Sequence, residues 1–288
     1  MTTALPVLPT KTTIDNPLTP NQIAERLTGR GYLSYSAIST YQRCPLRYLF
    51  SYIEGRTPEF KSSSLVFGGA IHTAIELHFR KAFEGIESPS INELLEAYDH
   101  AWKNDATTPI RYGKSETAEV LRDLANRMLS AFLGSEVSKL DSELLAVEEE
   151  FKAPIIPDCP DLLGRIDLVK LTKDRVKIID FKTSRSSWNH AKVQESAMQQ
   201  LLYSELVKPL AEVYGHRLPE IEWAVLTKGK SPRVEIHRLQ PDTAQIERVK
   251  AMVHGVWTAI KAQHFYPVPS TMNCSGCPFQ TPCGQWEG

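Results

Sequence analysis

The sequence predicts a mixed α/β fold with an α-helical insertion ahead of its main strands. Three observations carry this. Residues 144–183 hold closely spaced apolar and β-branched runs broken by a short polar stretch. Segments 64–85, 192–214 and 241–263 repeat apolar residues at helical spacing. Residues 91–142 are rich in Leu and Ala and poor in β-branched residues, the pattern of two or three helices. A chain of 288 residues with 42% hydrophobic content can bury one large core.

Taken in order, the first 30 residues read as a flexible, proline-punctuated arm that ends in "TPNQIAERLTG", a short capped helix closing at Gly29. One domain is expected over 31–288. "SYSAISTYQRCPLRYLFSYIEG", 34–55, opens on serines that can cap and sets Ile38, Tyr41, Tyr48 and Ile53 near helical spacing, with a break at Pro45. The 64–85 helix has its start marked by Gly68-Gly69. The helical insertion, about 88–142, precedes the strand block from Leu144 to Thr183. A helix at 192–214 leads to strands at 221–227 and 233–239, and Pro241 opens the closing helix 241–263. The tail, 266–288, reads as a cysteine-bearing loop, and no internal repeat is visible.

Formal net charge is −1, so no overall basic field announces nucleic acid. The charge is uneven, however, since "TKGKSPRVEIHR" carries Lys228, Lys230, Arg233 and Arg238 against Glu235 alone. No apolar stretch approaches the roughly 20 residues of a membrane span. The N-terminus lacks the charged-then-apolar order of a signal peptide, so a cytoplasmic protein with reduced cysteines is expected.

The chemistry concentrates in "GRIDLVKLTKDRVKIIDFKTS", 164–184. Two strands are joined by a polar turn; the first carries Asp167, and the second ends in Asp180-Phe181-Lys182. Asp180 and Lys182 share one face of their strand, and a tight turn sets Asp167 at a comparable height on its neighbour. The plain reading is a hairpin with solvated charges. The alternative is that a divalent cation lies between the carboxylates, with oxygen ligation suited to Mg²⁺ or Mn²⁺ and a lysine facing a phosphate.

Other residues fit the second reading. His72 and Glu76 stand four apart on one helix face, as do Gln199 and Tyr203. His72 could complete a metal site with Glu76 as an accessory, although a histidine on a partly buried helix is often only a packed one. His78 and His100 have no such context. Of five cysteines, Cys274, Cys277 and Cys283 form C-x2-C-x5-C, one ligand short of a tetrahedral zinc site or a four-cysteine iron–sulfur cluster. Cys44, in "QRCPLRY", is the preferred fourth ligand, and Cys159 reads as an ordinary thiol. Spacing alone leaves zinc and a cluster both open.

Asp167 in "GRIDLV", "IIDFKTS", His72 in "GGAIHTAIE", "QQLLYSE" and the one-plus-three cysteines together resemble the PD-(D/E)XK nuclease superfamily. The likeness is to its branch of RecB-type nuclease domains, AddB and the CRISPR-associated Cas4 exonucleases, over roughly residues 34–285. The resemblance implies a restriction-endonuclease-like core, a mixed central sheet flanked by helices. It implies metal ligation by His72, Asp167, Asp180 and the Phe181 backbone carbonyl, with Lys182 in catalysis and Gln199 and Tyr203 near the DNA backbone. It also implies that Cys44, Cys274, Cys277 and Cys283 hold a [4Fe–4S] cluster. The expected function is Mg²⁺- or Mn²⁺-dependent exonucleolytic hydrolysis of DNA, with a helicase or CRISPR-type protein as a conceivable partner. The family's proline is replaced by Ile166 before Asp167, and the insertion is longer than a minimal Cas4 chain carries. The rival readings are a non-catalytic DNA-binding or scaffold module that keeps the nuclease fold, and a zinc-stapled structural protein.

Overall fold

The computed structural model describes residues 17–288, apart from 106 and 174. Most of the expected arm, 1–16, therefore lies outside the described residues. From the N-terminus the elements run α1 (Pro20–Thr28), β1 (Leu33–Ser34), α2 (Tyr35–Arg43) and α3 (Pro45–Tyr48), which continues as a π-helical turn over Leu49–Ile53. Next come β2 (Lys61–Ser62), α4 (Ser63–Phe83), α5 (Ile91–Asp105), β3 (Ile110–Arg111), α6 (Ala118–Leu133) and β4 (Glu143–Ala153). Then follow β5 (Leu162–Thr172), β6 (Arg175–Ser184), α7 (His190–Val213), β7 (Glu220–Thr227) and β8 (Val234–Leu239). The chain closes with α8 (Thr243–Lys261), α9 (Thr271–Cys274) and α10 (Gln280–Gly284). Among the described residues no helix is long and apolar enough to cross a membrane.

The described residues group into two compact units, each assembled from separate chain segments: those up to Glu59 with Phe151–Gly164 and Ile246–Gly288 in the first, Phe60–Glu150 and Arg165–Gln245 in the second.

In the second unit β5 and β6 are antiparallel, β6 and β7 parallel, and β7 and β8 antiparallel, while β4 pairs with β5. The parallel pair requires a crossover, and α7 supplies it. Alternation along β6 explains the layers. Ile179 and Phe181 join Phe67, Ile71, Ile75 and Phe79 of α4, Leu94 and Tyr98 of α5, and Met128, Leu129 and Phe132 of α6 in one apolar core. Asp180 and Lys182 take the opposite direction, toward α7, where the Gln199 carbonyl meets the Lys182 ammonium at 3.4 Å. The residues of α4 that enter the core recur every three or four positions, which turns His72, Thr73 and Glu76 out of it. Gly68 and Gly69 do not mark the start of this helix. Ser62 caps it through the Leu65 N–H, and both glycines lie inside it, where a Cβ on Gly68 would meet Thr183 Oγ1 at 3.7 Å.

In the first unit, α1 has the expected caps: Thr19 and Gln22 form a reciprocal box at its start, and Gly29 ends it in the left-handed conformation at φ +69. β1 pairs in parallel with the first residues of β5, Leu33 opposite Leu162. Cys44 ends α2 and precedes Pro45 at the first position of α3, the break anticipated from sequence. Tyr41, Tyr48 and Phe265 pack ring against ring, and the Tyr41 hydroxyl donates to the His264 carbonyl at 2.7 Å. The tail is more ordered than a loop, with two short helical turns, α9 and α10. Asn273 ties it down by donating to the carbonyls of Arg43, at 2.9 Å, and Val268, at 3.1 Å.

Candidate functional site

A cavity of about 520 Å³ opens in the second unit, lined by Gly68, Gly69, His72, Glu76, Glu148, Arg165, Asp167 and Lys182 among others. It forms where β5 and β6 part. Their register pairs Leu168 with Ile179 and then stops. One step further the Asp167 carboxylate takes over, accepting the Phe181 backbone N–H at 2.8 Å. An acceptor side chain thus replaces a ladder bond at the point of divergence and fixes its own position in doing so. The two carboxylates end up flanking the mouth of the hairpin, as the sequence spacing suggests.

The electrostatics are those of crowded anions. Burial, and then the Asp180 charge, push the Asp167 carboxyl well above the usual carboxylate range. Burial followed by Asp167 pushes Glu148 up to about 7. Lys182 bridges both oxygens of Asp180, at 2.8 and 2.7 Å. Burial pulls the lysine down, but Asp180 and Asp167 outweigh it and hold the ammonium charged above its ordinary value. His72 Nδ1 lies 3.4 Å from Asp167 Oδ2. Its pKa is lowered by burial and then by Lys182, so the imidazole is neutral and available as a ligand.

His72, Glu148 and Asp167 each present a ligand atom within 4.8 Å of the other two, a donor set that fits a hard divalent cation. Glu148 is the residue that sequence reasoning missed. It is the first of three consecutive glutamates, and alternation offers no reason to single it out. Its backbone adopts φ +49, a left-handed conformation costly for a branched or charged residue, just after Ala146 and Val147 are buried in succession. The break in alternation turns its carboxylate into the cavity, where Arg165 Nε holds it at 2.7 Å. Glu76 lines the same cavity, but its carboxylate is engaged by Arg80 at 2.5 Å, with Arg165 at 3.9 Å.

Gln199 and Tyr203 lie beside Lys182. The Gln199 carbonyl accepts from the lysine and its amide donates to the Tyr203 hydroxyl at 3.1 Å, a chain of polar groups running from Asp180 onto α7. His78 belongs elsewhere: it is buried against Phe79 and Phe132, its Nε2 2.8 Å from the Ser138 carbonyl. His100 is exposed and contacts Asn104.

In the first unit Cys44, Cys274, Cys277 and Cys283 line one small cavity of about 60 Å³, with Arg43, Arg47 and the 267–269 segment. All four are free thiols. Burial raises the Cys283 thiol, and the sulfurs of Cys44, Cys277 and Cys274 raise it further. Cys159 lines no part of this cavity; it is buried, which pushes its thiol up to about 11.

The family model of the PD-(D/E)XK nuclease superfamily matches residues 32–284. Among solved structures, the chain is similar to a "Putative exonuclease" from Eubacterium rectale, with a TM-score of 0.55 and 13% identity over 97% of this chain and 95% of that one. The crystal structure of SSO0001 aligns more loosely, at a TM-score of 0.36 and 12% identity over 87% of this chain and 95% of that one. No curated protein matches the sequence. The first likeness agrees with the α/β architecture, a mixed central sheet flanked by helices. With the family match running through β5, β6 and the whole carboxylate cavity, the chain belongs to the PD-(D/E)XK nuclease superfamily.

Proposed function

We propose that the protein is a divalent-metal-dependent DNA exonuclease of the RecB- and Cas4-like branch, which hydrolyses phosphodiester bonds and carries a [4Fe–4S] cluster. The observation that carries the catalytic half is the convergence of His72, Glu148 and Asp167 beside the Asp180–Lys182 pair. Carboxylates raised by burial and mutual repulsion are what a bound cation relieves, and these residues would hold Mg²⁺ or Mn²⁺, with Asp180 and the Phe181 carbonyl close by. Such an ion supplies Lewis acidity to the scissile phosphate and favours ionisation of the attacking water. The chain's own residues do the rest. Lys182, held charged, faces the negative charge that builds on the phosphoryl oxygens. Asp180 fixes the lysine from one side and Gln199 from the other, and Tyr203 orients Gln199.

The cysteine cavity supports the second half. Four free thiols line it, the number a [4Fe–4S] cluster takes from its protein, and Cys44, Cys274, Cys277 and Cys283 would hold such a cluster as a structural staple.

The test is incubation of purified protein with 5′- and 3′-labelled single- and double-stranded DNA, with Mg²⁺, Mn²⁺ or chelator. Release of nucleotides or short oligonucleotides from an end, dependent on the metal, is expected. Binding without cleavage under every metal condition would replace the exonuclease with a DNA-binding module. Iron and acid-labile sulfide, measured on the same anaerobic preparation, decide between cluster and zinc. A helicase or CRISPR-type partner would emerge from co-purification.

A further inference from the structure

A second group of charges stands in the second unit, and the reaction outlined above does not use it. The Glu116 carboxylate accepts from the Ser63 hydroxyl at 2.6 Å, from the Gly113 backbone N–H at 3.0 Å, and from Arg185 Nη2 at 3.1 Å. The Lys228 ammonium adds its attraction, and these contacts, the Ser63 bond first, hold Glu116 below the usual carboxylate range. Lys228 is half-buried, 4.5 Å from the centre of the Phe67 ring, and its pKa is pulled down by burial and then by Arg185. Two cations have therefore been brought together at a cost, with one carboxylate set among them. A hydroxyl, a backbone N–H and a guanidinium aimed at one pair of oxygens, with an ammonium near enough to attract them, are the donor set that binds a phosphate.

The position agrees with the chemistry. Ser63 immediately precedes Ser64, Leu65 and Gly68, which line the catalytic cavity. On the other side, the β6–β7 register ends with Ser184 opposite Thr227, and the next residues along are Arg185 and Lys228. The Lys228 N–H donates to the Ser184 carbonyl at 2.7 Å, which keeps the pair in step. Arg185 comes three residues after Lys182, about 10 Å along the chain at roughly 3.3 Å per residue. A nucleic-acid strand with one phosphate at Lys182 spans this distance within its next two phosphates.

We propose that Ser63, Arg185 and Lys228 form a binding site for a non-scissile phosphate of the nucleic-acid strand, and that Glu116 is an internal anion which the phosphate displaces. The proposal rests on the nuclease reading. Glu116 can leave without unfolding a helix, because it lies in the segment between β3 and α6, next to Ser115 at φ +67. Arg185 is open to a ligand, with 74% of its side chain exposed.

Binding of a fluorescent single-stranded oligonucleotide, measured in chelator across a salt series, tests the site apart from cleavage. Glu116→Gln keeps the shape of the side chain and removes its charge, so it should bind about threefold tighter, with a steeper salt dependence. Arg185→Ala should bind about threefold weaker, and its log–log salt slope should flatten by about 0.7, the value of one phosphate contact on a single strand. In the double variant the gain from Glu116→Gln should be lost. If Glu116→Gln binds no tighter and Arg185→Ala keeps the wild-type slope, while wild type cleaves the same oligonucleotide with Mn²⁺, the group is only a structural tether and the nuclease reading stands. Should Glu116→Gln loosen the fold, Arg185→Ala decides alone, since an exposed guanidinium is dispensable for folding. If wild type neither binds nor cleaves, the nuclease reading fails and takes the phosphate site with it.

Discussion

The carboxylate cavity of the second unit draws its side chains from α4, β4, β5 and β6, whereas the cysteine cavity of the first draws its thiols from one helix junction and the short turns of the tail. The first is internally satisfied. Asp167 has a backbone donor, Asp180 has Lys182, and Glu148 has Arg165, so its geometry survives on protein contacts alone. The second has different props: Asn273 and Gln280 bond the backbone around the thiols, and the sulfurs of Cys44, Cys277 and Cys274 act on Cys283. One site is preorganised by the fold, as the proposed catalysis requires, and the other would take its organisation from the cluster proposed for it.

The sharpest way to break this contrast is to empty the first site of charge. Lys182→Ala and Asp180→Asn should each slow cleavage by about a thousandfold, the scale of losing a preorganised electrostatic partner, with the fold kept. Rates at saturating metal, read beside the melting curve, check this; near-wild-type cleavage by Lys182→Ala would remove the lysine from the mechanism. The second site should respond the other way. Cys44→Ala and Cys274→Ala should cost about 3–5 kcal/mol, as expected for releasing a link that closes so long a loop, and should bleach the visible absorbance. Cys159→Ala should leave the colour intact. Iron content and thermal melts compare the three, and a coloured Cys44→Ala protein would dissolve the proposed staple.

A smaller effect sharpens the same contrast through pH. Because Glu148 and Asp167 are raised in the fold, the native state keeps protons that the unfolded chain has already released. Metal-free protein should therefore lose a few kcal/mol of stability as pH rises from about 4.5 to about 7. The lowered His72 acts in the opposite sense near its ordinary value, and one imidazole does not offset two carboxylates. Mg²⁺ or Mn²⁺ should flatten the slope; thermal melts across the range, with and without metal, would show a flat metal-free profile if the crowding were illusory. The smallest effect concerns Gly68→Ala. A Cβ there makes only ordinary contact with Thr183, so the helix should gain up to about 1 kcal/mol while the cavity narrows and kcat/KM falls a few-fold.

Much of the frame was legible because it is written in local periodicity. The core face of α4, the hairpin β5–β6, the break at Pro45 and the caps of α1 follow from spacings of two to four residues. The Asp180–Lys182 pair was legible for the same reason. Glu148 was not, since a left-handed backbone selects it from three identical neighbours, and no periodic pattern marks such a residue. Gly68-Gly69 reads as a helix start in sequence, but both glycines lie inside α4, whose cap is Ser62. Glu116 meets partners 53 and 69 residues away, Ser63 and Arg185, and its role depends on tertiary contacts that spacing does not encode.

The division of the chain also sets an order of assembly during synthesis. Every segment of the second unit has been made once residue 245 is complete, whereas the first unit still needs Ile246 onward, and with it three of the four clustered thiols. Because domains tend to fold as they emerge from the ribosome, the carboxylate cavity can close while the cysteine cavity is still missing most of its wall. Loading of the cluster proposed for the cysteines would then be a late step acting on a chain whose proposed hydrolytic residues are already in place. On that proposal, a cell short of iron would accumulate this half-finished form, with its second unit folded and its first waiting.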